Sequence, residues 1–208
     1  KSDKPWGTLA IIGKKTSGSK LKNIIIKDGS GSFSDQFYFT STLSIHNTSN
    51  VDLENISLSN NHSYDDMIHL IYSSNIKLKE LNIFNAYGDA LDIDMCENII
   101  IENSQIYNSK NDGIDLMESD TLIKNVKIVG SLDKGISIGE ASKTKILKSS
   151  LINNYIAVAV KDKSQAKMNN INFYENDIQI AAYKKNLQYG SGGNIDIQNS
   201  FFRNKLIK

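Results

Sequence analysis

Apolar and polar residues alternate in short stretches that return at a nearly constant interval along the chain. The segments LSIHN from Leu43, IHLIY from Ile68, LDIDM from Leu91, IDLME from Ile114, ISIGE from Ile136, VAVKD from Val158 and IAAYK from Ile180 begin 22 to 25 residues apart. Period-two alternation marks a strand with one face buried. A second track runs between these segments: Ile56, Leu81, Ile106, Ile128, Leu151 and Phe173 recur near the middle of each unit. Asn60, Asn85, Asn108 and Asn153 follow it, with Gly130 standing in the gap. Asparagines stacked at a bend can hydrogen-bond to one another along the axis of a solenoid. Thr8–Ile12 and Asn23–Ile26 read as earlier, less regular strands.

A repeat of this length fits a leucine-rich repeat or a parallel β-helix. The first needs leucine at fixed spacings and a helix or tight turn behind each strand. Here isoleucine dominates and no helical periodicity appears. Each unit instead supplies about three short strands, with Asn, Ser, Gly and Asp at the corners. The pattern predicts an all-β chain, a right-handed parallel β-helix of about eight coils stacked at the ~4.8 Å sheet spacing. The handedness follows from the general preference of parallel crossovers. Residues 1–208 form one domain, and 188–208, carrying Phe201, Phe202 and Arg203, are expected to depart from the repeat as a C-terminal cap. No amphipathic helix precedes Trp6 to plug the first coil, so the chain is expected to be one part of a longer protein with further domains upstream. The stretch Asp28–Ser41, rich in Gly, Ser, Phe and Tyr, is expected to loop beside one face.

Composition narrows the function. A net charge of +1 with 23% charged residues excludes a strongly basic nucleic-acid binder and an acidic disordered chain. Cys96 is the one cysteine, so no intrachain disulfide framework exists. No apolar run approaches the ~18–20 residues of a membrane span. Neither a phosphate-binding loop, nor a dinucleotide fingerprint, nor a zinc motif is present.

Aligning the repeats turns sequence columns into neighbours. Positions such as Leu91 and Ile93 point inward, and the residues between them point outward. One outward column reads Ser44, His69, Asp92, Asp115, Ser137, Ala159; the next reads His46, Ile71, Asp94, Met117, Gly139, Lys161. Just before the strand, at the corner, stand Asp66, Asp89, Asp112 and Lys134, and just after it come Tyr72, Glu118, Glu140 and Asp162. Aspartate suits corners, where it bonds to nearby backbone, but is a poor strand residue. Asp92, Asp94 and Asp115 therefore point to function, whereas Asp66, Asp89 and Asp112 serve equally well as corner caps. The glycines Gly88, Gly113, Gly135 and Gly139 have a conformational explanation at tight corners.

The coils resemble those of pectin-lyase-like right-handed β-helix proteins over nearly the whole chain. NDGIDL at Asn111–Leu116 is similar to the NTDGID region of polygalacturonases, and KGISIG at Lys134–Gly139 to their GHGISIG region. DGIDLME at Asp112–Glu118 is similar to the DGIDPHD motif of mannuronan C5-epimerases. The departures are a lysine, Lys134, where polygalacturonases carry histidine, and Leu116, Met117 and Glu118 where the epimerase motif has Pro, His and Asp.

Two functional classes follow. One is a secreted, periplasmic or surface enzyme acting on an acidic polysaccharide as lyase, C5-epimerase or hydrolase. Its expected catalytic residues are Lys134, Lys161, Asp115, Asp92 and His69, with Tyr72, Asp94, Glu118, Glu140 and Asp162 binding substrate. Calcium held by Asp89, Asp92, Asp112 and Asp115 would relieve the stacked charge and neutralise a uronate. The other is a non-catalytic glycan-binding or structural module of a larger bacterial surface or secreted protein.

Overall fold

The computed structural model describes residues 5–33, 36–62 and 66–204. It is a parallel β-solenoid in which each turn contributes strands to three faces. The first face is an eight-stranded sheet of Leu9–Ile12, Ser41–His46, Asp66–Ile71, Leu91–Asp94, Ile114–Met117, Lys134–Gly139, Ile156–Lys161 and Ile178–Tyr183, stacked in chain order. Apart from the small hairpin of Ser32–Phe33 with Tyr38–Phe39, the remaining strands form a single folded sheet that bends at Asp52–Ser59, where one long strand serves both other faces. Six turns, from Asp66 to Arg203, carry three separate strands each. The two turns before them have long unbroken second strands, Lys20–Lys27 and Asp52–Ser59, so the regular coil count is six against the expected eight.

Inward residues of the first face are fully buried: Leu43, Ile45, Ile68, Leu70, Leu91, Ile93, Ile114, Leu116, Ile136, Ile138, Val158 and Val160. Register stacks Ile93 on Leu70 and Leu116, and Leu116 on Ile138, so one apolar column fills the solenoid. β-Branched residues suit both the pleat and this close stacking. At the corner after the third strand, Asn60, Asn85, Asn108 and Asn153 have φ between 52° and 60°, the left-handed region asparagine tolerates. The Nδ2 of Asn85 donates to Asn60 Oδ1 at 3.1 Å, and that of Asn108 to Asn85 Oδ1 at 3.2 Å. Inside the corner after the first strand runs a polar ladder: Ser73 N donates to Cys96 Sγ, Cys96 N to Ser119 Oγ, and Ser119 N to Ser142 Oγ. Cys96 is thus one rung among serines, and burial pushes its thiol up to about 12, far from a reactive thiolate.

Two expectations change. Gly113 and Gly135 are not in the left-handed region; a Cβ on either would lie 2.6 and 2.7 Å from the carbonyl oxygens of Gly135 and Ala157. Glycine is needed there because the next coil passes too close. The segment from Gln188 does not leave the repeat either. After an excursion through the 3-10 turn Leu187–Tyr189, Asn194–Gln198 and Phe201–Arg203 pair in parallel with Gln165–Asn169 and Asn172–Tyr174. These strands continue the stack, because Ile195 and Ile197 keep the inward spacing and pack against the core. Residues 205–208 of the expected cap lie outside the described residues.

A candidate acidic site on the outward first face

Three residues upstream of Asp92 and of Asp115 stands a corner aspartate, and corner and strand residues have different partners. Asp89 Oδ1 accepts from Asp112 N at 2.6 Å and from Asn111 Nδ2 at 2.7 Å. Asp112 Oδ1 accepts from Lys134 N at 2.8 Å. Each buried corner carboxylate therefore caps the backbone of the following coil. Burial, with Asp115 nearby, raises Asp112 to about 6 even though Lys134 counters it.

The strand positions form an open cluster. His69, Asp92 and Asp115 are direct partners across three adjacent strands, and Asp94 ends the middle one. His69 Nε2 lies 3.7 Å from Asp92 Oδ2 and 3.5 Å from Asp94 Oδ2. Burial, then the charges of Asp66, Asp94, Asp115 and Asp89, push the Asp92 carboxyl far above the usual carboxylate range. His46 stacks edge-on against His69, ring centres 5.0 Å apart, and burial and His69 lower its pKa to about 4. The loop expected over Asp28–Ser41 is a small antiparallel hairpin, Ser32–Phe33 with Tyr38–Phe39, whose Phe39 packs on His46 at 5.2 Å.

Thr40, directly after this hairpin, is a residue that sequence reasoning missed. Its hydroxyl donates to Asp66 Oδ2 at 3.0 Å and stands 3.4 Å from His69 Nδ1. Asp66, one of three corner aspartates that the repeat makes equivalent, also reaches the cluster. Among the described residues, one group brings metal-ligating atoms together, Asp66, His69 and Asp92, all within 4.8 Å of one another. The expected calcium quartet is not gathered in this way, because Asp89 and Asp112 each spend a carboxylate oxygen on backbone. No repeat signal could have singled out Asp66, since the difference lies in Thr40, which belongs to the irregular segment.

The lysines are placed differently from Asp92 and His69. Lys134 Nζ contacts Asp133 Oδ2 and lies 3.4 Å from Asp112 Oδ1. Burial lowers the pKa of this ammonium, but the bond to Asp133 and the charge of Asp112 outweigh that and raise it overall. Both contacts favour the charged form of this lysine. Lys161 is buried rather than outward in solvent, as are Ser137 and Ala159. The excursion Lys184–Gly193 lies over this end: Lys185 N and Asn186 N donate to Asp162 Oδ1, and Tyr189 Oη donates to Glu118 Oε1. Asp162 is fully buried and pins that excursion. Tyr72, Glu118, Glu140 and Asp162 share the corner after the strand at φ of 47° to 53°, along the edge of the face rather than on it. Burial raises Glu140, with Lys161 opposing.

Among the described residues, no helix is long and apolar enough to cross a membrane. A family model described as right-handed β-helix region matches residues 7–122 and, overlapping, 66–205. No curated protein matches by sequence. Among solved structures, the chain is similar to the periplasmic alginate epimerase AlgG, with a TM-score of 0.63 and 11% identity over 90% of this chain and 48% of that one. It is also similar to an alginate lyase from Paenibacillus sp. str. FPU-7, with a TM-score of 0.55 and 14% identity over 88% of this chain and 79% of that one. The chain thus spans about half the length of the epimerase. At these identities the likeness is one of fold.

Proposed function

The chain belongs to the right-handed β-helix family, and from that premise we propose that it is a carbohydrate-active enzyme of an acidic polysaccharide, working at the outward cluster of His69, Asp92, Asp94 and Asp115. One observation carries this reading. Asp92 sits largely buried on the outward strand face beside His69 and Asp94, with no backbone to cap, and burial first, then the neighbouring carboxylates, raise its pKa above the usual carboxylate range. Maintaining such a cluster costs stability, and proton transfer is what perturbed carboxyls at an open face are suited to. The alginate-directed names of the two structural neighbours support an extended uronate polymer as the substrate class. The periplasmic location of the epimerase supports the expectation of a periplasmic or secreted setting.

An anionic sugar approaching this face needs positive charge. Lys134 is held by Asp133 and Asp112, and Lys161 is buried, so a cation fits the role better than either lysine. A divalent cation bridging the substrate to the strand carboxylates belongs to this proposal, with Tyr72 and Glu118 along the edge of the groove.

Alginate blocks and polygalacturonate, with and without millimolar calcium, provide the test. A lyase generates unsaturated uronate absorbing in the ultraviolet. An epimerase exchanges the C5 proton with deuterated solvent, and a hydrolase releases reducing ends alone. Turnover in any channel that Asp92→Asn abolishes sustains the proposal. Binding without turnover in all three would leave the non-catalytic glycan-binding module, and neither binding nor turnover would leave a structural one.

A further inference from the structure

We infer that Asp66, His69 and Asp92 form a resident site for a divalent transition-metal ion such as zinc or manganese, with Thr40 as the residue that orients it. The inference concerns the site of the proposed function. It rests on a different observation, the arrangement of acceptors around His69.

The hydroxyl of Thr40 has one hydrogen, and the carboxylate of Asp66 takes it at 3.0 Å. What Thr40 offers His69 Nδ1, at 3.4 Å, is therefore a lone pair, so Nδ1 is the nitrogen that carries hydrogen. In neutral imidazole this leaves Nε2 as a bare acceptor. That atom is buried and has no hydrogen-bond partner. It faces Asp92 Oδ2 at 3.7 Å and Asp94 Oδ2 at 3.5 Å. At these separations, longer than a good hydrogen bond, neither carboxyl group answers the Nε2 lone pair, protonated or not, and a cation between them would.

The spacing favours an ion. Two ligands held at about 2.0–2.2 Å by a tetrahedral ion stand roughly 3.3–3.6 Å apart, close to the 3.7 Å between His69 Nε2 and Asp92 Oδ2, and the ligand atoms of all three residues lie within 4.8 Å of one another. The donor types point the same way. One imidazole and two carboxylates suit zinc or manganese, whereas calcium takes six to eight oxygens. Thr40 does for His69 what outer partners do for metal-bound histidines generally: it fixes the tautomer and the ring. A bound ion would have Asp94 beside it and present a Lewis-acidic centre to a uronate carboxylate.

The test uses the full chain without a histidine tag, stripped with chelator and dialysed against zinc or cobalt. Metal content after gel filtration should approach one equivalent, and cobalt should give the visible bands of a low-coordinate nitrogen–oxygen site. His69→Ala and Asp92→Asn should each weaken binding by at least about 100-fold. Thr40→Val should weaken it by about 10- to 100-fold, while Asp112→Asn leaves it unchanged. His69→Gln, with circular dichroism, covers the case in which alanine unfolds the chain. Retention far below one equivalent overturns the inference, as does binding that survives both ligand substitutions or an equal concentration of calcium displacing the ion. These readouts need no substrate. A failed polysaccharide screen leaves the metal site standing, and turnover in a protein that binds no metal sinks the site while sparing the proposed function.

Discussion

Asp89 and Asp112 at the corners and Asp92 and Asp115 on the strands are the same residue type, three positions apart, repeated in two adjacent coils. The corner pair point along the solenoid axis and are consumed by it: each caps a backbone N–H of the next turn. The strand pair point away from the axis. Asp115 bonds only to the neighbouring Leu116 N, and Asp92 faces His69. A solenoid thus converts a column of aspartates into scaffold or chemistry according to direction alone. Further along the same sheet the outward column becomes Ser137 and Ala159, and the excursion from Lys184 lies against that end. The outward strand column loses its carboxylates toward the covered end, where the charges that remain, Lys161 and Asp162, are buried.

Exchanging the strand aspartate gives the largest expected effect. Asp92→Asn should reduce turnover on the polysaccharide that scores by about 10²- to 10⁴-fold while the far-ultraviolet spectrum stays that of the parent. Asp112→Asn tests the contrast: its turnover should fall much less, and equal losses in both would erase the distinction between corner and strand.

Removing the corner cap should act on folding instead. Asp112→Ala leaves Lys134 N and the Lys134 ammonium without their buried acceptor, at a cost of about 2–3 kcal/mol. The melting temperature should drop by roughly 4–12 °C. A drop as small as that of an exposed substitution would show that Asp112 caps nothing of consequence.

The acidity of the cluster supplies a third effect, read as a pH dependence in chelator. The folded chain holds the Asp92 proton to about 10, whereas an unfolded aspartate releases it near 3.8. Folded protein therefore binds more protons across that window, and stability falls as pH rises. Asp112, raised to about 6, acts in the same sense up to that pH. His46, lowered to about 4 from 6.5, acts in the opposite sense below 6.5. Above pH 6.5 the Asp92 contribution remains, so the melting temperature should decline between pH 6.5 and 9 and decline less in Asp92→Asn. An identical slope in the two proteins would place the strain elsewhere.

The asparagine ladder provides the smallest test, away from both kinds of aspartate. Asn85→Ala removes two rungs and the residue best suited to φ of 56°. A loss of about 1 kcal/mol is expected, with turnover unchanged. A turnover loss there would mean the site is sensitive to any disturbance of coil stacking.

Much of this architecture is written in the chain itself. The recurrence of Leu43, Ile68, Leu91, Ile114 and Ile136 determines the strands, their order and their inward face, because parallel stacking at one fixed spacing turns sequence periodicity directly into contact. By the same rule His69, Asp92 and Asp115 become neighbours, and the asparagine columns become ladders. What the repeat does not encode is anything supplied from outside it. Thr40 reaches Asp66 and His69 from an irregular hairpin, and Asp162 and Lys161 are covered by an excursion whose path no periodicity predicts. Gly113 likewise owes its identity to the carbonyl of Gly135 in the next coil, a distance that only stacking creates. The sequence determined which residues share a column; the tertiary structure decided which carboxylates cap backbone, which lysines are neutralised, and which aspartates are left facing one histidine, because those outcomes depend on partners that approach from across the column rather than along it.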